Sequence, residues 1–220
     1  VEKAIRVVRS PVDIRKLASL RRQRAAGTQI KILSVGRLIE KKGFDDALKA
    51  LAVVKQTHAN IQYTIVGDGP LRPMLSFRIH EYGLTGRVDL KGALPSDETL
   101  KRMAEADILI APSRTASDGE VEGIPNVLKE AMCLGLQVIA TRHAGISELV
   151  EDGVNGILVS ENAPEEIAKA LDELIQNRDH WAMRSERAIL KVSEEYDPGR
   201  TTRDLMDAYE WLLNESKTKQ

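Results

Sequence analysis

Six short apolar runs recur along the chain: KILSVG (31–36), YTIVG (63–67), VDLKG (88–92), DILIA (107–111), QVIAT (137–141) and GILVS (156–160). Each is bounded by Gly, Pro or polar residues, the pattern of parallel strands covered by helices on both faces. Helical patterns fall between them at about 44–57, 71–83, 96–105, 125–135 and 145–151. Three more follow at 164–177, 179–195 and 201–215. This alternation predicts an open, doubly wound, Rossmann-like parallel α/β sheet of about six strands with extra C-terminal helices. Pro164 followed by Glu165 and Glu166 marks a helix start, and Asp197-Pro198-Gly199 separates the last two helices. Residues 1–28, basic and without a sustained period, read as a lead-in or linker, and 29–198 as the domain. Residues 199–220 read as a helix packing back on that domain or towards one outside the chain.

Composition narrows the function classes. With 32 basic and 33 acidic residues the formal net charge is -1, so neither nucleic acid nor an anionic membrane surface is expected as a partner. The single cysteine, Cys133, excludes an intramolecular disulfide and a cysteine-based zinc site, and reads as a small buried hydrophobe. No apolar run approaches the ~20 residues needed to span a bilayer, and no signal-peptide core is visible. The cytoplasm is the expected compartment.

In open α/β sheets ligands bind at the carboxyl ends of the strands, so the loops that follow the strands carry the candidate chemistry. After the fourth strand, Gly123 and Pro125 turn a loop into a helix, with Pro125 suited to the first helical position. The N–H groups of Asn126, Val127 and Leu128 would then face outward from the helix start, ready for an anion. Glu122 and Glu130 flank this point. Carboxylates accept paired hydrogen bonds from vicinal hydroxyls, so the set suits a diphosphate set between two sugars. Taken alone, the two glutamates read as acids supporting a helix N-terminus.

Arg37 and Lys42 follow the first strand, at the same end of the sheet. They read either as solvated surface cations or as fixed charge for a departing diphosphate, a task that other enzymes give to a metal ion. Asp118, Glu120 and Glu122 alternate, and three acids can hold Ca²⁺ or Mg²⁺; a solvated loop is the simpler reading, and no metal is expected. Gly67-Asp68-Gly69-Pro70 reads as a tight turn into a helix starting at Pro70, and it lacks the dinucleotide glycine fingerprint. His143, after the fifth strand, reads either as a residue reaching the mouth of the site or, more simply, as a surface histidine, and Trp181 and Trp211 read as packing anchors.

EGIPNVLKEAMCLGLQVIAT, residues 122–141, resembles the glycosyltransferase group 1 family, retaining enzymes of the GT-B fold with an E-x7-E motif. SVGRLIEKKGFDDALKAL (34–51), YTIVGDGPLRPML (63–75), ADILIAPS and SELVEDGVNGILV match the same family in order, covering roughly residues 30–160. The long segment SRTASDGEVEG is similar to the subgroup that assembles bacterial exopolysaccharides. Two departures stand out. The family's Gly-Gly after the fifth strand reads Ala144-Gly145, which adds a methyl near the donor sugar. Its His-x-Gly-Val-Asp entry reads Arg9-Ser10-Pro11-Val12-Asp13.

The resemblance implies one half of a GT-B enzyme: the domain that binds a nucleoside diphosphate sugar, such as a UDP- or GDP-sugar, with no further cofactor. The full enzyme would transfer a sugar, without a metal and with retention, to a glycan or lipid-linked acceptor in polysaccharide biosynthesis. The chain opens on Val1 instead of Met, and an acceptor domain is expected upstream; without it the chain would turn over little. Membrane association would come through that longer enzyme. By family resemblance Arg37 and Lys42, the latter preferred over Lys41 because it abuts Gly43, hold the diphosphate. Glu122 orients the sugar, the amides of Asn126 and Val127 bind phosphate, and Glu130 grips the ribose. Gly36, Gly123, Ile124 and Pro125 complete the donor loops, and Gly92 and Leu94 border the nucleobase or form an ordinary turn. A non-catalytic nucleotide-binding or scaffold module of the same fold is the rival reading; the intact basic pair and both glutamates weigh against it.

Overall fold

The computed structural model describes residues 7–21 and 29–218. Six parallel strands form one sheet: β1 (Ile30–Val35), β2 (Ile61–Val66), β3 (Val88–Gly92), β4 (Ile108–Ala111), β5 (Gln137–Thr141) and β6 (Ile157–Val159). Their order is β3-β2-β1-β4-β5-β6, so the winding reverses between β1 and β4. That is the doubly wound sheet the apolar runs predict, and the reversal opens a crevice at the carboxyl edge of β1 and β4.

Successive strand residues divide between two cores. Ile32, Tyr63, Ile65, Ile108, Ile110 and Ile139 pack on one face, beneath α2 (Phe44–Val54), α3 (Arg72–Glu81) and α7 (Pro164–Gln176). Leu33, Val66, Leu109, Val138, Ala140 and Leu158 pack on the other, beneath α4 (Ser96–Glu105), α5 (Asn126–Cys133), α6 (Ile146–Leu149) and α8 (Trp181–Glu195). Burial on both faces is why β4, β5 and β6 read as continuously apolar, whereas the edge strand β3 alternates apolar with charged residues. In α2 the buried set Phe44, Ala47, Leu48, Leu51 and Val54 follows the helical period, and α7 repeats it with Ile167, Ala170, Leu171 and Leu174. Tyr63 on β2 donates a hydrogen bond to Ser34 on β1 (2.8 Å), and Ser34 donates to the Ile110 carbonyl on β4 (2.5 Å). Three central strands are thereby joined inside the core.

Two segments differ from the sequence reading. The expected lead-in contains α1 (Ile14–Leu20): Asp13 caps it by accepting from the Lys16 amide at 3.0 Å, and Leu17 is buried. Its contacts with α4 and α5 bind this segment to the domain, where aperiodicity had suggested a linker. The last helix, α9 (Pro198–Thr218), begins at Pro198 because Asp197 caps it, accepting from the Arg200 amide at 3.0 Å. Asp-Pro-Gly thus starts the helix as well as ending α8. α9 touches α8 and leaves Met206, Tyr209 and Leu213 exposed. Residues 1–6 and 22–28 of the expected lead-in, and 219–220 of the expected last helix, lie outside the described residues.

Candidate functional site

The loops after β1 and β4 meet at the topological reversal. A Cβ on Gly43 would stand 1.9 Å from the Pro112 carbonyl oxygen, and Gly43 has φ +62°, so only glycine lets the two loops touch. The contact is fixed by the Arg114 amide, which donates to the Lys41 carbonyl (2.9 Å), and by the Arg114 guanidinium, which bonds the Glu40 carbonyl (3.1 Å) and the buried Asp46 (3.3 Å). A Cβ on Gly67 would stand 1.8 Å from the Gly36 carbonyl oxygen, which draws the turn after β2 against the same loop. The Gly-Asp-Gly-Pro segment is therefore a packing turn. Its helix begins at Arg72, two residues later than Pro70, because Leu71 still bonds back to the Leu38 carbonyl (3.0 Å).

Within this frame Lys42 and Glu122 form a hydrogen-bonded ion pair, with side chains 15% and 19% exposed. The Lys42 stem lies over Gly36, its Cε only 3.1 Å from where a Cβ would be. Ser113 donates to the other Glu122 oxygen at 3.2 Å. Arg37 stands apart. It is exposed, has no ion pair among the described residues, and faces Lys41, Asp118 and Glu120 across a groove. The alternating acids do not converge: Glu120 pairs with Lys41 (2.9 Å), Glu122 with Lys42, and Asp118 accepts from the Glu120 amide (2.9 Å). Among the described residues no group of three His, Cys, Asp or Glu is placed to hold a metal.

Past Gly123, which is open to solvent, Ile124 packs against Gly145 and Pro125 caps α5. Pro125 is thus the residue before the first helical position, with ψ 134°, and the helix begins at Asn126. The Leu128 amide donates to the Pro125 carbonyl (3.1 Å), so of the three N–H groups expected free, this one is taken. Those of Asn126 and Val127 have no partner among the described residues. Only four of the eight steps from Glu122 to Glu130 are helical, which places Glu130 about 6 Å along the axis from Asn126. Burial pushes the Glu130 carboxyl above the usual range, with Lys129 and Lys16 pulling the other way. Leu94 packs partly buried on the same core as Ile124 and Val127, and the Gly92 carbonyl accepts from Gly67 (2.8 Å). Ala144 is exposed in left-handed backbone (φ 42°) at the start of α6, a conformation that a glycine would hold with less strain.

His143 is not a surface residue. It is 1% exposed, because the segments after β4, β5 and β6 close around it. The Glu122 amide donates to its Nε2 (3.0 Å), and its Nδ1 lies 2.6 Å from Glu161 Oε1. Glu161 Oε2 accepts from the Thr115 amide at 2.8 Å. Burial raises the Glu161 carboxyl, but the Thr115 and His143 hydrogen bonds outweigh it and hold this acid below its usual range. Ser113 and Glu161 were not singled out from the sequence, and His143 was read as a surface histidine. One signal was present: each lies two residues beyond the end of its strand, β4, β5 and β6 respectively, where ligand-facing residues concentrate. Cys133 is buried as expected, with Arg21 bonding its carbonyl (2.6 Å), and Trp181 anchors α8 by donating to the Leu174 carbonyl (2.8 Å). No helix among the described residues is long and apolar enough to cross a membrane.

Residues 17–191 match the family described as glycosyl transferases group 1. The amylovoran biosynthesis glycosyltransferase AmsK of Erwinia amylovora is 37% identical over 208 residues, covering 94% of this chain and 51% of that protein. A GDP-mannose-dependent alpha-(1-6)-phosphatidylinositol monomannoside mannosyltransferase of Mycobacterium tuberculosis is 31% identical over 163 residues, covering 74% of this chain and 42% of that protein. Among solved structures, Anabaena Alr3699/HepE in complex with UDP and glucose superposes with a TM-score of 0.78 at 26% identity. That match covers 93% of this chain and 56% of the Anabaena chain. The chain thus spans about half the length of these relatives.

Proposed function

The chain belongs to the group 1 glycosyl transferases, and from that premise we propose that it is the donor-binding half of a retaining, metal-independent glycosyltransferase in polysaccharide assembly. The donor is a nucleoside diphosphate sugar of the UDP or GDP class, and the acceptor is a glycan or lipid-linked glycan bound by a second domain. One observation carries this reading: the sheet reversal brings Lys42 against Glu122, immediately before a helix whose first two amides are uncapped. A cation and two converging N–H groups suit a diphosphate, and carboxylates on either side suit the hydroxyls of hexose and ribose.

In the reaction the bond from the anomeric carbon to the diphosphate breaks, and negative charge grows on the departing phosphate. Lys42, Arg37 and the Asn126 and Val127 amides stabilise that charge in place of a metal; the loop acids are occupied by lysines and backbone amides. Arg37, exposed in the groove and without an ion pair among the described residues, reaches the phosphate by a change of side-chain rotamer. The acceptor hydroxyl attacks on the face the diphosphate leaves and passes its proton to a phosphate oxygen. Glu122 orients the sugar and Glu130 the ribose; Gly36, Gly123, Ile124 and Pro125 form the loop walls, and Gly92 and Leu94 border the base. Calorimetry of the folded chain with UDP, GDP and ADP tests the proposal. Binding of at least one, weakened by Glu130→Ala, is expected; absence of binding by all three would overturn it.

A further inference from the structure

We propose that His143, in its neutral Nδ1–H form, is the positioning residue of Glu122, and that acid pH releases the loop carrying that glutamate. The inference rests on the reading of Glu122 as the carboxylate that faces the donor sugar. A backbone N–H only donates, so the 3.0 Å contact with the Glu122 amide requires an unprotonated Nε2. An ionised carboxylate only accepts, so the 2.6 Å contact with Glu161 places the ring's one proton on Nδ1. Both nitrogens are thereby assigned by their partners.

The same acid and ring hold the loop after β4 at two points. Glu161 accepts from the Thr115 amide with one oxygen and from His143 with the other, and His143 accepts from Glu122. Between these points the loop closes on itself, the Ala116 amide bonding the Glu120 carbonyl at 3.0 Å. A second proton on the ring would set an Nε2–H donor against the Glu122 N–H donor, inside a site where the ring is buried. That bond must then break, and Glu122 moves. The charged groups around the ring come from every adjoining segment. Glu161 lies after β6; Glu122, with Lys42 behind it, and Arg114, bonded to Asn162 at 3.2 Å, belong to the loops after β4 and β1. Arg142 is turned outward to Asp152 (2.5 Å), and the α6 residue Glu148 lies near Gly145 and pairs with Arg9 (3.8 Å). The pair most direct for the ring is Glu161, which holds it in place while Nε2 is free to accept.

Two substitutions separate the ring's roles. In His143→Gln the side-chain oxygen stands where Nε2 was and still accepts from Glu122. In His143→Asn the amide nitrogen stands where Nδ1 was and keeps the Glu161 contact, but Nε2 has no replacement. In the ¹⁵N-labelled chain without ligand, the native ring is expected to carry its proton on Nδ1. Its Glu122 amide shift is expected to move when the ring takes up a second proton, and to stay flat in His143→Gln. With UDP-glucose and GDP-mannose as probes, His143→Asn is expected to lower the affinity of the sugar nucleotide relative to its bare nucleotide about tenfold. His143→Gln is expected to retain most of that ratio and lose its pH dependence. A proton on Nε2, a Glu122 amide indifferent to pH, or equal losses in both variants would overturn the positioning role. Failure of the native chain to bind either sugar nucleotide would overturn the donor-site reading, while the ring and amide shifts decide the positioning claim without ligand.

Discussion

Glu122→Gln is expected to strengthen the binding of a bare nucleoside diphosphate, although Glu122 lies in the donor site. In the ligand-free chain Lys42 is already paired with Glu122, and a diphosphate recruiting Lys42 must displace that carboxylate. Exposed ion pairs contribute about 0.2–1 kcal/mol, and hydrogen bonds to charged groups about 1.5–3 kcal/mol. At 15% and 19% side-chain exposure the pair belongs between these classes, which sets the cost of breaking it near about 1 kcal/mol. Since about 1.4 kcal/mol is tenfold in affinity, Glu122→Gln should tighten UDP or GDP binding by roughly three- to tenfold. Lys42→Met removes the cation itself and should weaken binding by about ten- to a hundredfold. For a sugar nucleotide the Gln gain should shrink or reverse, because the group that orients the hexose is lost. Calorimetry at one fixed ionic strength is the assay, since salt screens a partly exposed pair. Weaker binding of bare UDP and GDP by Glu122→Gln would refute the idea that this carboxylate competes with phosphate for Lys42.

Glu130→Gln should raise thermal stability at neutral pH while weakening nucleotide binding. Burial raises the folded-state carboxyl above its unfolded value, so the native chain loses stability as pH rises through that raised value. The advantage of Gln should therefore vanish below the unfolded carboxyl range near about pH 4, and an advantage that grows towards acid pH would contradict the sign. Ser34→Ala strands the fully buried Tyr63 hydroxyl and should cost about 1–3 kcal/mol, read by calorimetry as a melting drop of about 3–10 °C. Adding Tyr63→Phe should recover part of that loss; strict additivity would show that the two hydroxyls are not coupled.

The sheet was legible because β4, β5 and β6 are buried at every position and β1 carries neighbours such as Ile32 and Leu33 that serve opposite cores, as do Ile139 and Ala140. Glu122 and the start of α5 were legible for a different reason, since Gly123 and Pro125 punctuate the chain locally. The polar lattice behind them was not. Arg114 and Asp46 are 68 positions apart in sequence, and His143 meets Glu122 across 21, so no local period links either pair. A histidine after a strand looks solvated until β4, β5 and β6 are known to end side by side. α1 was missed because one buried residue, Leu17, and one cap, Asp13, are too few to establish a helical period.

The most direct measurement is a crystal structure of this chain with UDP or GDP bound. The account predicts the diphosphate against the Asn126 and Val127 amides, with Lys42 released from Glu122 and turned onto a phosphate oxygen. A diphosphate seated instead at the Gly67–Pro70 turn, or bound while Lys42 remains on Glu122, would contradict it.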